Sequence, residues 1–250
     1  MAERWKSGVA LLVSVLVLAG VVLAGPGDEL SALRRALGIG QGPLGTPADV
    51  PEGGVHAFLQ VQPGDSGDPV TWDPCREIRY EVNTEGAPGD AEEALAFVAD
   101  GVAEVSAITG LQFELLGETD RRPSWESRFV PAGRREPVLI AWAQASEVEE
   151  LAGDVAGVGG AVAQSYRSGS LYRYVTGQVT LDEDVYDDLS RSANGRGHQR
   201  AILLHELGHL VGLDHVDSAD ELMYADNVGQ LEFGPGDLNG LVRLGEGRCS

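Results

Sequence analysis

The segment from His205 to His215, reading HELGHLVGLDH, constrains the fold of this 250-residue chain more than any other, because it holds three of the five histidines. On a helix, residues four apart lie nearly one above the other, so His205 and His209 project from one face, close enough to share a tetrahedral metal. Glu206 sits about 100° further round; it is out of line as a ligand but can approach a water on that metal. Gly212 is free to take a left-handed conformation, end the helix and turn the chain back, which carries His215 toward the same point. Three neutral imidazoles leave one zinc position open, whereas a structural site is closed by a fourth protein ligand. The pattern is that of a catalytic centre. Zinc lowers the pKa of a bound water, and Glu206 is the residue placed to take its proton during attack on a carbonyl and to pass it to the leaving amine.

The rest of the chain says where such a site would work. Residues 8–24 form an uncharged, strongly apolar run behind Arg4 and Lys6, and Asp28 and Glu29 follow it. A cleaved signal peptide over residues 1–25 and an uncleaved membrane anchor both fit, and either exports the remainder to the outer face of the cytoplasmic membrane or beyond. The formal net charge of −21 leaves no basic face for nucleic acid. The only cysteines are Cys75 and Cys249; in an oxidising compartment they would form one bridge closing a very long loop, with two free thiols as the alternative.

A short helix is expected at Ser31–Leu37. Residues 38–54 carry nine Gly or Pro in seventeen positions, so residues 26–54 read as a linker and the globular domain as residues 55–250. Within it, alternation around Ile78, Tyr80 and Val82 predicts a strand over Arg76–Val82, and an apolar stripe predicts a helix over Asp90–Thr109 stopped by Gly110. Leu111–Leu115 and Pro137–Trp142 read as strands, Gly157–Gly160 as a glycine-rich turn, and Ala161–Tyr166 and Gln178–Leu181 as two more strands. Asn194–Gly197 reads as a loop before a helix over about Gln199–Val211. The order predicts an α+β domain with a twisted sheet and few helices.

The motif His205-Glu206, His209, Gly212, His215 resembles the zinc signature of the metzincins, and Met223, eight residues after His215, matches the spacing of the Met-turn in their matrixin branch. The likeness runs from about Thr71 to Gly245. It implies a metzincin fold with a mostly parallel sheet and an antiparallel edge strand, a long first helix, an active-site helix and a C-terminal helix at Gly236–Leu244. It also implies an endopeptidase with one catalytic zinc, in which the edge strand over Gly160–Tyr166 pairs with an extended peptide and Tyr224 stands near the pocket for the side chain following the cut bond.

Departures from the family matter equally. Gln164 and Thr180 stand where matrix metalloproteases have histidines for a second, structural zinc, so that ion is expected to be absent. Asp182 matches the family's calcium-binding stretch but Val185 replaces a carboxylate. The run Asp182, Glu183, Asp184, Asp187 and Asp188 therefore reads as a solvated acidic loop, with Ca2+ as the alternative. No cysteine lies between Gly25 and Val55 to act as the matrixin latency switch, which leaves Asp49 or Glu52 as the linker groups able to block the zinc. His56 and His198 have no partner spacing and read as surface or capping residues. The expected partner is a protein or peptide substrate, with the chain acting as a monomer that lacks the haemopexin-like appendage of larger matrixins. A zinc-stabilised binding module and a zinc hydrolase of non-peptide amides or esters are the competing functions.

Overall fold

The computed structural model describes residues 42–64, 67–125, 136–165, 171–226 and 229–249. The apolar N-terminal run and the helix expected at Ser31–Leu37 lie outside them. Among the described residues no helix is long and apolar enough to cross a membrane.

Composition puts the start of the domain at Val55, yet the compact unit begins at Pro43. The Gly/Pro-rich segment buries no side-chain core of its own and is held through its backbone instead. The Leu44 N–H donates to Pro74 O at 2.8 Å and the Ala48 N–H to Ile108 O at 2.9 Å, while the Asn239 amide donates to Pro51 O. Glycine suits such docking because it brings main chain against main chain: a side chain at Gly45 would strike the carbonyl of Gly110.

The sheet is built from β2 (Ile78–Asn83), β3 (Phe113–Glu118), β4 (Val138–Ala143), β5 (Gly157–Gln164) and β6 (Arg173–Asp182), in the order β3-β2-β4-β6-β5. All neighbours are parallel except β5, which runs antiparallel to β6 along one edge. Central β4, VLIAWA, is buried at every residue, as a strand covered on both faces must be. A separate two-stranded pair joins β1 (Ala57–Phe58) to β7 (Leu213–Asp214).

Helix α1 (Ala91–Thr109) begins where the Asp90 carboxylate accepts the Glu93 N–H at 2.9 Å and ends at Gly110, whose φ of 72° is the left-handed cap expected of it. Its buried stripe of Ala94, Phe97, Val98, Val102 and Val105 joins the core formed by Ile140, Trp142, Leu203, Leu207 and Leu210. Helices α2 (Glu183–Ser190), α3 (Gly195–Val211) and α4 (Pro235–Gly245) complete the α+β architecture. Gly101 lets α1 approach α3, since a Cβ there would lie 2.7 Å from Leu203.

Three local expectations are corrected. Gly157–Gly160 is not a turn but the first half of β5, for a reason that belongs to the active site. Helix α3 starts at Gly195, four residues before the apolar run, because Asn194 takes a left-handed conformation (φ 59°) that turns the chain directly into the helix. The acidic run after Asp182 is helix α2 rather than a loop. The Asp182 carboxylate accepts the Val185 N–H at 2.8 Å, and Glu183 and Asp184 fall in the first turn, where the helix dipole favours negative charge. No carboxylate cluster suited to a metal forms there among the described residues, and calcium is not supported.

Cys75 and Cys249 form a disulfide across a sequence separation of 174, with Cα atoms 5.3 Å apart. A cross-link closing so long a loop removes much of the unfolded chain's freedom. Replacing both cysteines by alanine is expected to lower unfolding free energy by about 2–5 kcal/mol, measured by urea denaturation with the wild type under oxidising conditions as reference.

Candidate active site

Helix α3 is buried from Ala201 to Val211 at every residue but the partly exposed His205, and the chemistry sits in its last two turns. His205 and His209, one turn apart, have ring centroids 4.8 Å apart. Gly212, at φ 125°, ends the helix and reverses the chain, and β7 then delivers His215. The Nε2 of His215 lies 3.0 Å from that of His205 and 3.1 Å from that of His209. For Zn–N bonds of about 2.0 Å, a tetrahedral edge is about 3.3 Å. The three predicted ligands are thus brought to one point.

The proton positions follow from their partners. His205 Nδ1–H donates to the Leu222 carbonyl at 2.8 Å and His209 Nδ1–H to the Leu213 carbonyl at 2.9 Å. A carbonyl only accepts, so both neutral rings carry their proton on Nδ1 and aim an Nε2 lone pair at the shared centre. Burial, together with the neighbouring imidazoles, pushes the pKa of His205 down to about 4; burial brings His209 to the same value. Both are neutral at physiological pH, as metal ligands must be. The lone pairs of His205 and His209 thus meet within hydrogen-bond distance of a third imidazole nitrogen, and this donor set fits a zinc ion.

Below the centre, Met223 is fully buried, and Gly208 of α3 passes so close that a Cβ there would lie 2.7 Å from its sulfur. Residue Leu222 is gripped from two sides: its carbonyl takes the His205 proton, and its N–H donates to Asp237 Oδ2 at 2.5 Å. Asp237 also accepts the Gly234 N–H at the start of α4, and burial raises its pKa to about 6. Beside it the buried Glu221 carboxylate accepts the Gly236 and Asp237 N–H groups at 2.8 and 3.0 Å. Two carboxylates at the positive end of α4 therefore fix the turn that orients a ligand histidine. Sequence reasoning missed both; the clue available was Pro-Gly-Asp at 235–237, with an acid at the third position of a Pro-started helix.

Glu206 is 5% exposed and lies against β5. A Cβ at Gly157 would come 2.8 Å from its Cγ, and one at Gly159 would collide with its main-chain carbonyl. The glycines taken for a turn are spaced two apart because only a strand without side chains on that face can pass so near the helix. Burial pushes the Glu206 pKa up to about 8, opposed by a hydrogen bond from the Gly159 N–H.

The histidine cluster opens into a cleft of about 500 Å³, lined by residues of β5, α3 and the 214–226 segment and including Tyr224. Leu59, next to β1, also reaches it, which composition alone did not show. Asp49 and Glu52 are exposed and line no part of it; their segment docks near the end of α1 and on α4. His56 is exposed beside Phe58, and His198 lies in the first turn of α3. Thr180 accepts a hydrogen bond from Trp125 Nε1 at 3.1 Å, and Gln164 ends β5 opposite Arg173.

A sequence model of the Matrixin peptidase family matches residues 71–241. The chain belongs to the matrixin family. A matrixin is a zinc-dependent peptidase, and His205, His209 and His215 form a group able to hold the ion. No curated protein matches this matrixin in sequence.

Two outcomes follow from the geometry. Because the folded-state pKa of Glu206 lies above its unfolded value of about 4.5, its contribution to stability is present below pH 4.5 and lost as pH rises toward 8. Glu206→Gln keeps the neutral form, so in metal-free protein its Tm relative to wild type should climb between pH 5 and 8. A flat difference would contradict the burial argument. Gly159→Ala should move β5 off the helix, leaving circular dichroism native but lowering hydrolysis of a peptide by about 10²-fold.

Proposed function

We propose that this matrixin is an exported endopeptidase in which Glu206 is the general base. The observation that carries the reading is the convergence of three Nε2 atoms beside a buried carboxylate, in a cleft bordered by a strand edge that is unpaired among the described residues. A zinc ion in that position supplies a Lewis acid that polarises a carbonyl and acidifies water to near neutral pH. Glu206 then holds the proton released and delivers it to the departing amine nitrogen. Burial raises the carboxylate's affinity for a proton, and the Gly159 N–H opposes that rise.

The outer edge of β5 favours a polypeptide over a small amide or ester. It is the end strand of the sheet, so an extended peptide can add to it through main-chain hydrogen bonds. Residues Gly157–Gly159 line the cleft while β5 continues to Gln164. That length supports chain extending away from the cut, which is what an endopeptidase needs. Retention of Glu206 weighs against a binding module, which has no use for a buried carboxylate at the metal. Export rests on the apolar run at residues 8–24 behind Arg4 and Lys6 and agrees with the disulfide, a bond that persists in oxidising compartments.

Glu206→Ala should retain about one zinc per chain by elemental analysis while hydrolysis of denatured casein falls by about 10²–10⁴-fold. Wild-type cleavage should stop with 1,10-phenanthroline and return with added zinc. Unchanged cleavage by the alanine variant would remove Glu206 from the mechanism.

A further inference from the structure

The structure assigns a preference to the cleft: we infer that it selects polypeptides carrying a long basic side chain, arginine or lysine, next to the bond to be cut. Asp154 and Asp226 are the residues that read it. The inference rests on the peptidase reading above and names the substrate class of that same site.

The cleft wall combines two unlike surfaces. Val155, Ile202, Leu222 and Tyr224 present apolar area, while Asp154 and Asp226 are exposed carboxylates lining the same space. Neither aspartate makes a hydrogen bond or ion pair among the described residues. Among the described residues no lysine or arginine lines the cleft to neutralise them. The other acids there are committed elsewhere: Glu206 is buried against β5, Glu221 is buried against the N–H groups of α4, and Asp214 Oδ1 accepts the His215 N–H at 2.8 Å.

An apolar wall ending in unpaired carboxylates matches one kind of side chain. Arginine and lysine lay an aliphatic stem along apolar surface and keep a charged head at the water boundary. A purely apolar residue uses the wall and leaves the carboxylates unmatched, and an acidic one is repelled by both. The field of the whole chain, at −21, acts in the same direction by drawing cationic substrates toward the site. Exposed ion pairs are individually weak, at most about fivefold each in an equilibrium or rate ratio. One such pair at either aspartate, helped by the field, gives a preference of about fivefold to tenfold at low ionic strength that shrinks as salt screens it.

The test uses zinc-loaded enzyme and internally quenched peptides that differ only in arginine or norleucine at each position adjoining the cut, with the cut located by mass spectrometry. The expected result is a kcat/KM about fivefold to tenfold higher for arginine at one of these positions, falling to within about twofold of unity in Asp154→Asn/Asp226→Asn and in 1 M NaCl. A second readout needs no turnover: zinc-loaded Glu206→Ala should bind the arginine peptide more tightly than the norleucine peptide, and the two aspartate substitutions should erase the difference. Cleavage of both peptides at equal rates, or a preference that survives in the double asparagine variant, overturns the charge reading and leaves the peptidase reading standing. If neither peptide nor denatured casein is cleaved by enzyme shown to hold zinc, the peptidase reading falls and this one with it.

Discussion

The Nε2 atoms of His205 and His209 stand 3.0 and 3.1 Å from that of His215, so three imidazoles converge on one point. Much of the surrounding structure holds them there. The carbonyls of Leu213 and Leu222 take the opposite protons of two rings, so the lone pairs have nowhere else to point. Leu222 is in turn held by Asp237, and Asp237 is buried at the start of α4. The ligand set therefore depends on a chain of contacts running from the active-site helix through the methionine turn to the C-terminal helix. Each link is a hydrogen bond in a low-dielectric interior, where an unsatisfied partner is costly.

The second constraint is distance between main chains. Strand β5 can lie on α3 only because Gly157 and Gly159 put no atoms on that face. This contact has three consequences at once. It buries Glu206, raises its proton affinity and supplies the N–H that steadies the carboxylate. It also leaves the other edge of β5 as a border of the cleft, so the glycines packed on Glu206 line the cleft as well.

Charge works at a longer range and with less force. The acidity of the chain neither builds the fold nor places the metal, and much of it is spent on local tasks: Asp90 and Asp182 cap helices, while Glu221 and Asp237 anchor the start of α4. Among the described residues, Asp154 and Asp226 remain unpaired and line the cleft.

Residue spacing alone marked the candidate ligands and the broad architecture. His205, His209, Gly212 and His215 are fixed by helical periodicity and one permissive glycine, which are local properties, and the stripe on α1 and the run of β4 follow from hydrophobic patterning over short windows. The tertiary structure decided what local pattern cannot encode. Glycines at 157 and 159 look like turn formers until the helix they pass is in view, because glycine serves a sharp bend and a close approach equally well. The docking of residues 43–54 is likewise invisible to composition, since it rests on backbone hydrogen bonds rather than apolar side chains. Asp237 and Glu221 were unreadable as supports because their partners, the N–H groups of Leu222 and of the first turn of α4, become neighbours only when the chain folds. A residue type and its spacing can announce a metal site; which carboxylates hold it in place is settled by burial and by contacts between segments far apart in the chain.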